Sequence, residues 1–451
     1  MSDKPEVKLQ PQPQPQGPSK RTVSLAIAII LLIVGIGAGS AVGYFGAPRQ
    51  TGNSALCTSG QTITIGELLD LSKDLSSQGK RAQASSNIAI SDINSFLSST
   101  GCSLRFNNAV TDYALDNQQA LTALTNFAAS GVKAVVGPLN SGAAQFILGY
   151  ANSHNVVLIS PSSTAPQLGI ANDYLFRTAP NDANQGHADA RMMLDRGAKA
   201  LIIVSRQDLY GQGLANATSS FFTYLGGSTV KVIDTIYYPT DTTDFSTYVK
   251  TLNDDFNANV AAYGANGIAI DVIAFEEFGS LILKAKGNYN TAFPWSTLPW
   301  FGTDGESQDS VIVNATYGSL VSQVILPSTL YAQSDNTKTK ALYDAFKAAN
   351  PSLICDSYCL GAYDDVWLAA LATLQAGVND GAKIQAAMLT VAANYYGVQG
   401  WDGMQPSGDL IPSQYQIWKV VSSNWIFAGT WTPALPTAPQ NTDTLSWSSP
   451  P

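Results

Sequence analysis

The chain has 451 residues, enough for two ordinary domains with separate cores. Apolar residues make up 45 %, but Asp, Glu, Lys and Arg only 13 %, about half the usual share. A formal net charge of -9 and a pI of about 4.7 leave no basic stripe to neutralise phosphates, which excludes nucleic acid as a partner. Ser, Thr, Asn and Gln replace charges on the surface, a composition that suits an acidic exterior, although plain compositional drift gives the same pattern.

Residues 1–21 read as a short cytoplasmic segment, disordered or polyproline II over the Gln-Pro repeat at 10–18. Residues 22–45 form one transmembrane anchor: Val23 to Phe45 carries no charge, and a helix of that length spans roughly 30–35 Å. Lys20 and Arg21 abut its N-terminal end and Arg49 is the only close cation beyond it, so the positive-inside rule puts the folded part outside the cell. A cleaved signal peptide is the competing reading, since Gly-Ala-Gly-Ser-Ala at 37–41 is small enough for processing. Residues 46–60 are a linker.

All four cysteines, Cys57, Cys102, Cys355 and Cys359, fall on the external side and read as disulfides. Cys57 and Cys102 each precede a predicted strand, and parallel strand starts share one edge. A bridge there closes a loop worth roughly 4 kcal/mol in the chain-entropy model. Cys355 and Cys359 then make a local clip. The rival is a four-Cys zinc site, whose usual spacings this sequence does not match.

Short β-branched runs alternate with helical spacing from residue 61 onward. Strands are predicted at Ile63–Leu69, Leu104–Phe106, Ala134–Gly137 and Val156–Ser160, with helices at Ala82–Leu97, Asn117–Ser130 and Ala143–Asn152 between them. The rhythm restarts after residue 182, with strands at Ala200–Val204, Val230–Ile233, Asp271–Phe275 and Pro299–Gly302. Continuous apolar strands separated by helices predict parallel sheets covered on both faces, an α/β unit of doubly wound, Rossmann-like type present twice. Residues 432–451, with Pro433, Pro436, Pro439, Pro450 and Pro451, are expected to be a disordered Pro-rich tail.

Catalytic signatures are sparse. His154 and His187 are the only histidines, and no Gly-x-Ser-x-Gly, phosphate loop or dinucleotide fingerprint occurs. Strand-end loops instead offer binding chemistry. Gly137-Pro138-Leu139-Asn140-Ser141-Gly142 and Ser160-Pro161-Ser162-Ser163-Thr164-Ala165-Pro166 place hydroxyls and backbone N–H groups where a doubly wound sheet binds ligands. Helix capping alone accounts for the same residues.

These loops, with Asp116-Asn117-Gln118-Gln119-Ala120, Phe176-Arg177-Thr178-Ala179-Pro180-Asn181-Asp182, Leu209-Tyr210-Gly211-Gln212-Gly213, Phe301-Gly302-Thr303-Asp304-Gly305 and Tyr363-Asp364, follow a recognisable order. The order resembles the branched-chain amino acid binding proteins of ABC importers, leucine-binding-protein-like type I periplasmic binding proteins, over nearly all of residues 62–431. The resemblance implies two lobes joined by three crossovers, lobe 1 at 61–180 and 328–400, lobe 2 at 181–327 and 401–431. It implies no enzyme activity, metal or cofactor, and two partners: an amino acid in the cleft and a membrane permease. Ser141, Ser162 and Thr164 match the loops that hold the ligand carboxylate and part of its amine. Asp182 matches a polar contact at the first crossover, Tyr210 an aromatic that closes over the ligand, and Asp304 the acid that meets the α-ammonium.

Three departures bear on specificity. Ser77-Gln78 stand where the family commonly has an aromatic, Phe275-Glu276-Glu277-Phe278 is unusually acidic, and Asp304 is shorter than the usual Glu. A polar or cationic amino acid, urea or a short amide therefore stays open as ligand. A sensor of the same fold, an amide hydrolase and a surface protein with a vestigial pocket are the rival functions.

Overall fold

The computed structural model describes residues 55–288, 294–332, 335–411, 414–434 and 439–449. The segment expected in the cytoplasm, the anchor at 22–45 and the linker up to residue 54 lie outside the described residues. No helix among the described residues is long and apolar enough to cross a membrane.

The first sheet contains β1 (Thr62–Leu69), β2 (Arg105–Asp112), β3 (Ala134–Val136), β4 (Val157–Ser160) and β5 (Leu175–Arg177) in the order β2-β1-β3-β4-β5. Every pairing is parallel. Its central strands β3 and β4 are buried on both faces, and the pleat sends alternate residues to different cores. Val136, Val157 and Ile159 pack with Ala89, Ile93 and Leu97 of α2 (Ser76–Ser99). Val135 and Leu158 pack with Leu124 of α3 (Asn117–Ala129) and Ile147 of α4 (Ser141–His154). A one-turn helix α1 (Ala55–Thr58) precedes β1, and the Cys57–Cys102 disulfide ties it to the segment that enters β2.

The second sheet repeats the plan with β6 (Ala200–Arg206), β7 (Lys231–Tyr238), β8 (Ile268–Ile273) and β9 (Trp300–Phe301), ordered β7-β6-β8-β9 and all parallel. Helices α5 (Asp182–Asp195) and α6 (Leu209–Gly226) cover one face through Met192, Met193, Leu214 and Phe222. Helices α7 (Ser246–Tyr263), α8 (Phe278–Asn288) and α9 (Gly318–Val324) cover the other. The chain then returns to the first sheet, where α11 (Ser357–Ala376) and α12 (Gly381–Ala393) complete the core beside α2, while α10 (Thr337–Ala349) adds Leu342. The Cys355–Cys359 disulfide sits at the start of α11. The four cysteines form the two disulfides Cys57–Cys102 and Cys355–Cys359, so they are bridges rather than a zinc site.

Two expectations need correction. Part of the Pro-rich tail is folded. A third, antiparallel sheet joins β10 (Ser328–Tyr331), β11 (Tyr415–Val421), β12 (Asn424–Thr432) and β13 (Thr444–Trp447), and β13 pairs with β12 through Trp431↔Leu445. The prolines cluster before and after a proline-free stretch at 440–449, which retains its backbone donors and can pair. The expected handover between lobes at 400–401 also falls too early. Arg177 bridges to Asp409 and accepts the Leu410 N–H on its carbonyl, so residues 409–410 lie along the first sheet.

Candidate ligand site between the two parallel sheets

Both parallel sheets end their strands toward one interface, where the loops after β3, β4, β8 and β9 meet. Gly137 makes the first of these loops possible. Its φ is +97°, and a Cβ there would lie 2.2 Å from the Leu68 carbonyl oxygen, so only glycine lets β3 turn beneath β1. The turn delivers Asn140, whose Oδ1 accepts from the buried Tyr113 hydroxyl at 2.7 Å, and Ser141 at the start of α4.

The hydroxyls of each first-sheet loop bind the backbone of the other. Ser141 Oγ accepts the backbone N–H groups of Thr164 and Ala165, both at 3.1 Å. Ser160 Oγ donates to the Pro138 carbonyl at 2.6 Å and Ser162 Oγ to the Leu139 carbonyl at 2.8 Å. Arg177 adds two donations from Nη1, to the carbonyls of Ser163 and Ala165. The loops thus form one pre-organised wall.

The opposite wall is built around Asp304. Its loop is held by Glu306, which accepts from Ala274 N at 2.7 Å and from Thr303 N at 2.9 Å. Asp304 Oδ1 accepts from the Tyr210 hydroxyl at 2.7 Å and from Gln185 Nε2 at 2.8 Å, and Oδ2 accepts from the Tyr358 hydroxyl. Burial pushes the Asp304 carboxyl above the ordinary range, against the lowering effect of these three donors. Tyr210 stacks on Phe275 at 5.4 Å, and the Arg206 guanidinium lies over the Phe275 ring at 3.7 Å.

Of the six residues singled out in the sequence, Ser141, Ser162, Tyr210 and Asp304 line one narrow space between the walls, with Gln78, Asn140 and Tyr358. Its volume is about 10 Å³, the room of roughly one water. Thr164 and Asp182 are not among its lining residues. Thr164 instead fastens the crossover, its carbonyl accepting the Asp182 N–H at 2.9 Å. Asp182 is fully buried at the start of α5, and burial followed by the nearby Asp304 charge holds its carboxyl well above the ordinary range. Gln185 links the site onward, donating to Thr329 Oγ1 at 3.1 Å, which donates to buried Asp189 at 2.7 Å.

Sequence reasoning missed Tyr358 and Gln78 as members of this wall. Tyr358 follows the helix cap Asp356, whose Oδ1 accepts the Cys359 N–H at 2.9 Å, so its only local signal is the Cys355–Cys359 clip around it. Gln78 is buried, its Nε2 makes no hydrogen bond, and it occupies the turn where an aromatic was expected.

The two lobes also touch beside this space. Ser77 donates its backbone N–H to Glu276 at 2.7 Å and its hydroxyl to Asp309 at 2.5 Å, both at the N-terminal end of α2. Arg81 Nη1 donates to the Gln308 carbonyl at 2.9 Å. Glu276, from the unusually acidic segment, and Asp309 therefore face a positive helix end across the interface.

A sequence model of a family described as periplasmic binding protein matches residues 62–420. An uncharacterized protein of Methanocaldococcus jannaschii is 28% identical over 387 residues, 82% of this chain and 89% of that one. A Leu/Ile/Val-binding protein of Rhizobium johnstonii is 25% identical, covering 79% of this chain and 91% of its own. Among solved structures, a leucine binding protein of Thermotoga maritima superposes with a TM-score of 0.70 at 20% identity, over 82% of this chain and 99% of that one. A solute binding protein of R. palustris in complex with benzoate superposes with a TM-score of 0.67 at 16% identity, over 84% and 99%.

Proposed function

The chain belongs to the periplasmic binding protein family, and on that premise we propose that it is the external solute-binding component of an ABC importer, capturing an amino acid between its lobes. The family consists of substrate-binding proteins rather than enzymes. Asp304 carries the reading: a buried carboxylate on one wall, facing Ser141 and Ser162 on the other. An α-ammonium would meet Asp304 and Tyr210, while the loop hydroxyls and backbone N–H groups at the start of α4 would hold the α-carboxylate. Thr164 and Asp182 would stiffen this arrangement from behind.

Admission of a ligand requires the lobes to part, because the space between them holds about one water in the described arrangement. The ligand then favours closure by its differential affinity for that state. The charge-free run at 23–45 would hold the folded body at the outer face of the cell membrane, beside the permease it serves.

A relative of the same fold is solved with benzoate, so a carboxylate lacking an amine is the second reading. Asp304 argues against it, since such a ligand leaves that acid without a counter-charge. Calorimetry with aliphatic, basic and amide amino acids, urea, short amides and benzoate separates these readings. Binding of an amino acid that Asp304→Ala weakens by about 2–5 kcal/mol is expected. Tight binding of an amino acid by the variant, or of benzoate alone by the wild type, sinks the assignment.

A further inference from the structure

The space at Asp304 is not the roomiest crevice among the described residues. A second cavity of about 730 Å³, well within the size range of ligand sites, shares no lining residue with that space. Arg81 links the two linings: it donates to the Gln308 carbonyl at 2.9 Å and pairs with Asp356 at 3.2 Å. Gln308 and Asp356 line the large cavity, whereas Gln78 and Tyr358, their neighbours along the chain or one helical turn from Arg81, line the small one.

The lining of this chamber is rich in aromatic residues. Tyr343 and the almost fully buried Phe346 come from α10, and Trp418 and Trp425 from β11 and β12. Both indole N–H groups are already bonded, Trp418 Nε1 to Gln416 at 3.2 Å and Trp425 Nε1 to the Asp309 carbonyl at 2.9 Å. What the tryptophans have left to offer is ring face. Tyr343 is 39% exposed, and burial of its hydroxyl end, then Asp356 and Asp335, pushes that hydroxyl up to about 12, so it remains a donor.

The polar groups are spread along the chamber rather than gathered at one end. Asp335 precedes α10 and Lys347 lies in its last turn, so one acid and one base flank roughly 15 Å of helix. Gln416 of β11 adds an amide to the same lining. An acyl chain would leave this rim unpaired, and a single aromatic acid could not reach both ends. A row of sugar rings fits both demands: their C–H faces are apolar and stack on aromatic rings, and their edge hydroxyls pair with amides and charges of either sign.

We propose that this chamber is a second binding site, separate from the Asp304 space, for a short neutral oligosaccharide lying along α10. The test is titration of the intact external domain with maltotriose, cellotriose and chitotriose, read by calorimetry and by tryptophan fluorescence. At least one trisaccharide is expected to bind and to shift the emission of Trp418 and Trp425. Tyr343→Ala, an exposed position that leaves the fold intact, is expected to weaken binding about threefold to tenfold. Asp304→Ala is expected to leave it unchanged. Absence of heat and of fluorescence change with all three sugars overturns the proposal. So does sugar binding that Asp304→Ala abolishes, or that Tyr343→Ala and Trp418→Phe both leave intact.

Discussion

The Tyr358 hydroxyl donates to Asp304 across the interface of the two parallel-sheet units. Tyr358 lies in the first turn of α11, a helix whose body packs into the core of the first sheet, and Asp304 follows β9 of the second. This bond and those from Tyr210 and Gln185 give Asp304 three donors and no cation. On the proposed function an incoming ammonium would supply the charge these neutral donors lack, and Tyr358 lines the same narrow space.

Tyr358→Phe is therefore expected to tighten ligand binding by about threefold to tenfold, because the ligand no longer displaces a hydroxyl from Asp304. Calorimetry on the amino acid identified for the wild type measures it. Weaker binding by the variant instead makes Tyr358 a ligand contact.

Arg177 and Asp409 form the buried ion pair that supports the serine-rich wall. Arg177 Nε meets Asp409 Oδ1 at 2.8 Å, while Nη1 reaches the carbonyls of Ser163 and Ala165. Asp409→Ala leaves a buried guanidinium without its counter-charge, and a loss of about 3–5 kcal/mol is expected in urea unfolding. Replacing the pair together by Met and Leu should cost less. Equal losses in the two variants would mean that packing, not the uncompensated charge, sets the cost.

Stability should rise as the solution is acidified from about pH 8 to about pH 5. Burial pushes Glu67, Asp271 and Glu276 up to about 7, and Asp364 and Asp173 up to about 6. For a carboxyl raised in the folded state, the cost of folding is fully present above the folded value. It is relieved as pH falls through that value toward the ordinary carboxylate range. Asp443 and Asp112 work the other way: hydrogen bonds hold them below the ordinary range against the effect of burial. Their contribution is present at neutral pH and disappears only under stronger acid. Thermal melts across this range are expected to place the optimum on the acidic side; a Tm that falls steadily below pH 7 contradicts this.

The parts of the fold legible in the sequence are those fixed by local periodicity. Val135-Val136 and Leu201–Val204 read as doubly covered strands because both faces are apolar, and strand-end position pointed to the loops of Ser141 and Ser162, whereas Tyr210 and Asp304 were singled out by the family resemblance and not by local pattern. The third sheet was not legible, since β10 pairs Ser328 with Trp418, partners far apart in the chain that no local pattern connects. Tyr358 escaped for the same reason. The lobe boundary was misplaced because the Arg177–Asp409 pair, which keeps that segment on the first sheet, joins residues with no shared motif.

The folded part of the tail acts as a strap across the second lobe. Asp443 accepts from Arg191 Nε at 2.9 Å and from the buried Trp431 Nε1 at 2.6 Å, and Trp447 donates to Asp195 at 2.5 Å. Ending the chain at Thr432 removes β13 and leaves the Trp431 N–H without an acceptor in a buried setting, a cost of about 1–3 kcal/mol by itself. Asp443→Ala isolates that share while keeping the strand. Both variants should melt below the wild type, the truncation further, because it also uncovers the edge of β12 that β13 pairs with. A truncated protein as stable as Asp443→Ala would assign the whole effect to the one carboxylate and none to the strand, and one as stable as the wild type would make the tail dispensable.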